Sequence, residues 1–207
     1  SYYYLEDDRE AIRCYQKAIA IDPNYAYAYN NMGNAYKSLE DYREAIHCYQ
    51  KAIAIDPNFA YAYYNMGNAY ANLEDNREAI RCYQKAIAID PNDAYAYYHM
   101  GIAYDNLEDY REAIRCYQKA IAIDPNLTIA YSLMGIAYDN LEDYREAIRC
   151  YQKAIAIDPN DAYAYWFMGI AYGELGNIKE KIKCYQQAAR LGDEDAQVWL
   201  RDNAYSW

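Results

Sequence analysis

Five prolines, Pro23, Pro57, Pro91, Pro125 and Pro159, each sit inside an Asp-Pro-Asn triplet and follow one another at intervals of 34 residues. Gly33, Gly67, Gly101, Gly135 and Gly169 keep the same step, as do Cys14, Cys48, Cys82, Cys116, Cys150 and Cys184. A fixed period of this length means one supersecondary unit copied along the chain. A single unit cannot cover its own apolar face, so the copies must stack, each against its neighbours. The 207 residues therefore predict one elongated solenoid rather than one or two globules.

Residues 94–127 show what the unit is. The stretch 94–106 has no proline and places Tyr97, Met100, Gly101 and Tyr104 on one face of a 3.6-period helix. A second helix starts at Asp109, whose spacing to Glu112 reads as a capping box in which the Asp side chain accepts a first-turn N–H. The box recurs as Asp7…Glu10, Asp41…Glu44, Asp75…Glu78 and Asp143…Glu146, with Asn177…Glu180 as a variant. The second helix runs through Ala113, Tyr117, Ala120 and Ile121 until Pro125, which disfavours helical geometry in the residue before it. The unit is thus a helical hairpin. Gly101, Ala113 and Ala120 sit where its helices cross, with Met100, Tyr104 and Tyr117 filling the remaining volume.

Composition narrows the chemistry. Hydrophobic residues make up 54% of the chain, enough for a continuous core, and 30 of them are tyrosines against two phenylalanines. Tyrosine suits half-buried positions because its ring is apolar and its hydroxyl is wet. The net charge of −11 disfavours nucleic acid, which requires phosphate-neutralising Lys and Arg. A basic protein or peptide fits that sign. The cysteines recur once per unit, so equivalent thiols stand a helix layer apart, about 8–10 Å. A disulfide needs Cα atoms within roughly 7 Å. They read as free thiols, and hence as the mark of a reducing, cytoplasmic setting. No stretch approaches the ~20 apolar residues of a membrane span. The cysteine spacing implies no metal, and no motif implies a cofactor. Catalysis is not expected: His47 adjoins Cys48, but neighbouring helical residues do not face each other.

Unit 60–93 carries Tyr63, Met66-Gly67, Tyr70, Ala79, Tyr83, Ala86 and Pro91, and with these residues the chain resembles the tetratricopeptide repeat (TPR) family. Tyrosine replaces the family's usual tryptophan, and methionine its leucine. The resemblance implies an all-α fold, a right-handed superhelical solenoid of antiparallel helix pairs. In its register the units are 26–59, 60–93, 94–127, 128–161 and 162–195, with 1–25 a partial repeat and 193–207 a C-terminal capping helix and tail. Ala196, Val198, Trp199 and Leu200 supply the cap's apolar face. One departure is the turn between paired helices. There the family often has glycine and this chain has Glu40, Glu74, Glu108 and Glu142, with Gly176 in the last unit. A stiffer turn is expected from it.

Residues 103–126 and 137–160 are identical, so variation concentrates in the first helices. In the family, first helices line the concave groove that holds peptide ligands. The resemblance places the groove at the second, fifth, sixth and ninth positions of each unit. These are Tyr27, Asn30, Asn31 and Asn34; Tyr61, Tyr64, Asn65 and Asn68; and Tyr95, Tyr98, His99 and Ile102. They continue as Ile129, Ser132, Leu133 and Ile136, then Tyr163, Trp166, Phe167 and Ile170. Asn side chains can pair with an extended backbone, and Tyr and Trp supply rigid contact area. Leu133, Trp166 and Phe167 are assigned to the groove, whereas Ile102, Ile136 and Ile170 fit either the groove or the core. Asp105, Asp139 and Glu174 are expected at its rim. The clamp by which some family members hold acidic C-terminal tails is not expected. Its two Asn positions hold Asn34 and Asn65, but its cationic positions hold Asn30, Tyr95 and His99.

The expected function is a non-catalytic scaffold that binds an extended peptide or partner helix bearing apolar and basic residues. Two alternatives stand beside it. One is a self-assembling module joined head to tail through a partly uncovered face of Ile12, Tyr15 and Ile19. The other is the recruiting part of a larger enzyme or complex.

Overall fold

Asp41 closes one helix and opens the next, and that double role builds the hairpin. Its backbone N–H donates to the Tyr36 carbonyl at 2.9 Å, sealing the helix behind it, while its side chain accepts from the Glu44 N–H ahead. Asp75 and Asp143 do the same with Tyr70 and Glu78 and with Tyr138 and Glu146, and Asn177 with Tyr172 and Glu180. The six-residue closure needs a left-handed residue just before it. Glu40, Glu74 and Glu142 take that conformation at φ 60°, 61° and 61°, and Gly176 at 74°. The turn thus has its usual shape, with glutamate held where glycine would be at ease.

The second kind of turn is equally local. In each Asp-Pro-Asn triplet the Asp carboxylate accepts the N–H of the Asn two residues on, as at Asp56 and Asn58 (3.0 Å), forming an Asx turn. Proline fits between them because its missing N–H is not needed there.

The computed structural model describes residues 2–207, with side chains described from residue 7 onward. It divides into two units, one ending at Leu107 and one beginning at Glu108. The first holds α1 (Tyr2–Ile21), α2 (Ala26–Ser38), α3 (Tyr42–Ile55), α4 (Ala60–Asn72), α5 (Asn76–Ile89) and α6 (Ala94–Asp105). The second holds α7 (Tyr110–Ile123), α8 (Thr128–Asn140), α9 (Tyr144–Ile157), α10 (Ala162–Glu174), α11 (Ile178–Arg190) and α12 (Glu194–Asp202). Among the described residues there is no strand. Within each unit every helix packs on the next, and the first helices of successive repeats also touch, α2 with α4, α4 with α6 and α8 with α10. The fold is the expected all-α solenoid of helix pairs.

The pairs lock through one contact repeated. Tyr49, Tyr83 and Tyr151 on the second helices are among the largest fully buried side chains. Each ring packs directly against the glycine of its partner helix. A Cβ at Gly33, Gly67, Gly135 or Gly169 would fall 2.6, 2.6, 2.5 or 2.5 Å from the Cε1 of Tyr49, Tyr83, Tyr151 or Tyr185. Glycine is used there because a ring fills the space a methyl would need.

One expectation changes at the start of the chain. Asp7 caps nothing: α1 runs unbroken from Tyr2 through it to Ile21, so there is no first-turn N–H at that point to receive. On the α1 face of Ile12, Tyr15 and Ile19, Ile12 is buried and Tyr15 and Ile19 are half-buried. At the other end α12 docks as expected: Ala196 and Leu200 are fully buried against Tyr185, Ala188 and Ala189, while Val198 faces outward. Gly192 at φ 98° closes α11, and Asp193 caps α12 by accepting from Ala196.

Candidate binding surface

The first helices form one wall in each unit, and their second positions stand out from it. In the first unit these are Tyr27, Tyr61 and Tyr95; in the second, Ile129 and Tyr163. Their exposures run from 51% at Ile129 to 70% at Tyr163. Helix geometry explains this: the next residue points about 100° away, and it is a buried alanine each time, as Ala62 is beside Tyr61. Tyr27 leans on Phe59 at 4.7 Å between ring centroids, and Tyr61 on Tyr64 at 6.0 Å.

Behind these rings the first unit is polar but largely self-satisfied. Asn65 is buried and donates to Asn30 at 3.2 Å, and Asn30 donates to Asn31 at 3.3 Å. Asn30 and Asn65 are therefore struts between α2 and α4, which corrects the reading of Asn65 as an amide open to a ligand. Both are about 3% exposed, and a buried amide without a partner would be costly. Asn31 is half-buried. Asn34 and Asn68 accept the hydroxyls of Tyr49 and Tyr83, each at 2.8 Å. His99 is enclosed by rings, edge-on to Tyr64 and Tyr98 and stacked with Tyr83.

The second unit is apolar at the same register. Leu133 is half-buried and Ser132 donates to Asp161. Phe167 stacks between Tyr151 and Tyr163, at 6.2 and 6.4 Å. Trp166 does not line the groove as expected: it stacks on Tyr185 at 4.4 Å and packs into the cluster that α12 covers. Ile136 and Ile170 likewise pack against core clusters.

Solved structures share this arrangement of helices. A crystal structure of MamA aligns at a TM-score of 0.76 with 30% identity, covering 80% of this chain and 97% of that one. YrrB, described as a TPR protein with an unusual peptide-binding site, aligns at 0.78 with 25% identity over 91% and 97% of the two chains. MamA 41-end from Desulfovibrio magneticus RS-1 aligns at 0.75 with 25% identity over 80% and 94%. No curated protein matches. Profiles described as TPR repeat match residues 1–39, 33–74 and 140–176, and tetratricopeptide repeat profiles match 60–93, 94–127, 116–149 and 162–191. This chain belongs to the tetratricopeptide repeat family.

The TPR frame explains where the charged groups went. A second-helix tyrosine hydroxyl needs an acceptor. Position nine provides it in units 26–59 and 60–93, through Asn34 and Asn68. In unit 128–161 position nine is Ile136, and Asp139, one turn on, accepts from Tyr151 at 2.6 Å instead. Asp105 and Asp139 are therefore not rim carboxylates as expected; both are half-buried, and desolvation raises both pKa values. Glu174 is exposed.

Burial lifts Asp139 from 3.8 to about 6, with the Tyr151 hydrogen bond opposing and Glu174 adding repulsion. Its Oδ1 has no hydrogen-bond partner. The folded chain therefore holds this proton more tightly than the unfolded chain. The resulting stability is full below about pH 4 and is lost as pH rises through about 6. Asp139→Asn keeps an acceptor for Tyr151 and removes the charge. It is expected to stabilise the TPR fold by about 1–2 kcal/mol at pH 7.5, discounted for partial solvent contact, and to change little at pH 4. Urea denaturation at both pH values checks this, and an equal effect at both would refute it.

Cys48, Cys82, Cys116, Cys150 and Cys184 are buried thiols with pKa pushed up by desolvation to about 12. Cys14, unlike these five, is exposed. The Glu112–Arg115 pair lies on the solvated face, as expected of weak surface ion pairs. No group of His, Cys, Asp and Glu among the described residues could hold a metal. No described helix is long and apolar enough to cross a membrane.

One polar residue of the wall escaped the sequence reading. Lys37, on α2, lines a cavity of about 380 Å³ with Asn68, Asn72, Tyr83 and His99. It lies at position twelve, beyond the positions the family resemblance singles out. The signal was present: it is the one Lys or Arg in the five first-helix segments, where position twelve otherwise holds Ala71, Asp105, Asp139 and Gly173.

Proposed function

We propose that this TPR chain, an interaction scaffold by its fold, binds an extended peptide along the first-helix walls. One observation carries the reading. Large apolar side chains stand exposed at position two of every first helix, on the elements where the repeats differ most in sequence. Exposed apolar surface of this kind marks contact sites, and tyrosines make strong anchors. YrrB, with a described peptide-binding site, has the same helix arrangement. The ligand in this reading presents apolar anchors and basic residues, matching the aromatic rings and the net charge of −11.

The test starts from a random peptide library displayed on phage and selected on the whole chain. Selected peptides should be enriched in apolar and basic residues. Tyr61→Ser with Tyr95→Ser removes two exposed rings from the first unit's wall without touching the core. Calorimetry should then show affinity reduced on the order of 100-fold, as for two anchor residues, with unchanged circular dichroism. Full affinity in the double variant, or no enriched peptide, refutes the proposal. Light scattering across concentration reads the alternative of head-to-tail self-association, which a strict monomer removes.

A further inference from the structure

We propose that the Lys37 cavity of the first unit is a subsite for a carboxylate, carried by an Asp or Glu side chain of the bound peptide. The inference rests on the peptide-binding reading and adds an acidic determinant to it.

The cavity is walled by α2, α3, α4, α5 and α6, through Lys37, Tyr42, Asn68, Asn72, Tyr83 and His99. Lys37 is partly buried and makes no ion pair among the described residues, although the chain carries 31 carboxylate residues. A desolvated ammonium without a counter-ion is an unbalanced charge, and a ligand anion is what would balance it. The neighbouring groups are oriented to help. Asn68 has its Oδ1 occupied by the Tyr83 hydroxyl, so its N–H side, which also meets the Tyr64 hydroxyl, is the one left to donate. Asn72 has its Nδ2 committed to the Asn68 carbonyl at 2.7 Å, which leaves its Oδ1 as an acceptor for a ligand backbone N–H. His99 lines the cavity from α6.

One lysine selects the size of the charge. A carboxylate carries one negative charge and pairs with one ammonium plus neutral donors. A phosphate dianion in the same half-buried place would remain under-neutralised. The positions that would form a clamp for acidic tails carry no lysine or arginine here, so this subsite draws its cation from elsewhere on α2.

The imidazole offers a built-in reporter. Burial lowers the His99 pKa below 6.5, Asp93 opposes, and the Lys37 charge lowers it further. The groups facing it are Lys37 on α2, Tyr64 on α4, Tyr83 on α5, and Tyr98 with the capping Asp93 on its own element. Burial lowers Lys37 as well. A bound carboxylate would offset both effects and raise the His99 pKa. The other histidine, His47, is exposed on α3 and serves as the internal control.

The experiment is a histidine NMR titration of the whole chain with N-acetyl-glutamate N-methylamide. N-acetyl-glutamine N-methylamide and inorganic phosphate form the comparison arms. The expected result is a saturable shift of the His99 resonances and a rise in its pKa with the glutamate probe alone, while His47 stays still. Lys37→Gln should weaken that binding about tenfold or more, and Lys37→Arg should retain most of it. Equal responses to the glutamate and glutamine probes, tighter binding of phosphate, or full affinity in Lys37→Gln each overturn the proposal. If selected peptides bind at Tyr61 and Tyr95 while the glutamate probe does not, this subsite alone falls. If the probe binds and no peptide does, the wall reading falls instead.

Discussion

Replacing Tyr83 by alanine is expected to remove about 3–5 kcal/mol of stability, the range for truncating a large buried aromatic. The ring is about 1% exposed and its hydroxyl donates to Asn68. It also fills the space against Gly67, where a Cβ would lie 2.6 Å from its Cε1. The ring and the glycine are therefore two halves of one contact, and their substitutions should not add. In the wild-type background Gly67→Ala forces a rigid ring to move, an overpacking cost of about 1–3 kcal/mol. That outweighs the roughly 1 kcal/mol that alanine gains over glycine in a helix. In the Tyr83→Ala background the obstruction is gone, and the same Gly67→Ala should stabilise. The sign reversal in a double-mutant cycle is the decisive outcome; additive effects would show that the contact does not hold the pair together. Circular dichroism is the suitable probe. All three tryptophans, Trp166, Trp199 and Trp207, lie in the second unit, whereas Tyr83 lies in the first.

The second large effect has the opposite sign. Glu40, Glu74, Glu108 and Glu142 hold φ near 60° with exposed side chains. A side chain in that conformation costs about 1–2 kcal/mol, part of which glycine gives back through its greater freedom when unfolded. Changing all four to glycine is expected to gain about 2–4 kcal/mol, or roughly 5–15 °C in melting temperature for a chain of this size. Gly176 already occupies the equivalent turn, at φ 74°, so the exchange has an internal precedent. A fourfold alanine variant separates the causes. It removes the same charges but keeps the Cβ, and it should gain little. An alanine variant as stable as the glycine one would assign the gain to charge rather than to backbone strain.

What the sequence made legible was whatever depends on neighbours a few residues away. The Asp41…Glu44 cap and the Asp-Pro-Asn turn both formed as read, because their donors and acceptors lie within one turn of helix. The repeat period then carried the fold. The candidate surface was harder to read because its chemistry is set by side chains 12 to 35 residues apart, as in Tyr151 with Asp139 and Asn65 with Asn30. Asn65 looked available, yet its amide is consumed by the preceding repeat. Trp166 looked like an anchor for a ligand, and the α12 cap provided it with a partner at Tyr185. Lys37 lay one turn beyond the positions the register singled out. The Asp7 box failed for a different reason: its residues match the other boxes, but α1 passes through without a break.

The migration of the phenol's acceptor from Asn68 in one repeat to Asp139 in another makes these repeats dialects rather than copies. Anyone recombining them must move a leading helix whole. Grafting Ile136 alone onto the Asn68 position would strand the hydroxyl of Tyr83, and grafting Asn68 alone onto Ile136 would leave two acceptors competing for one proton. Linked replacement across one helical turn is thus the smallest step by which such an array can diversify its face while each tyrosine stays anchored.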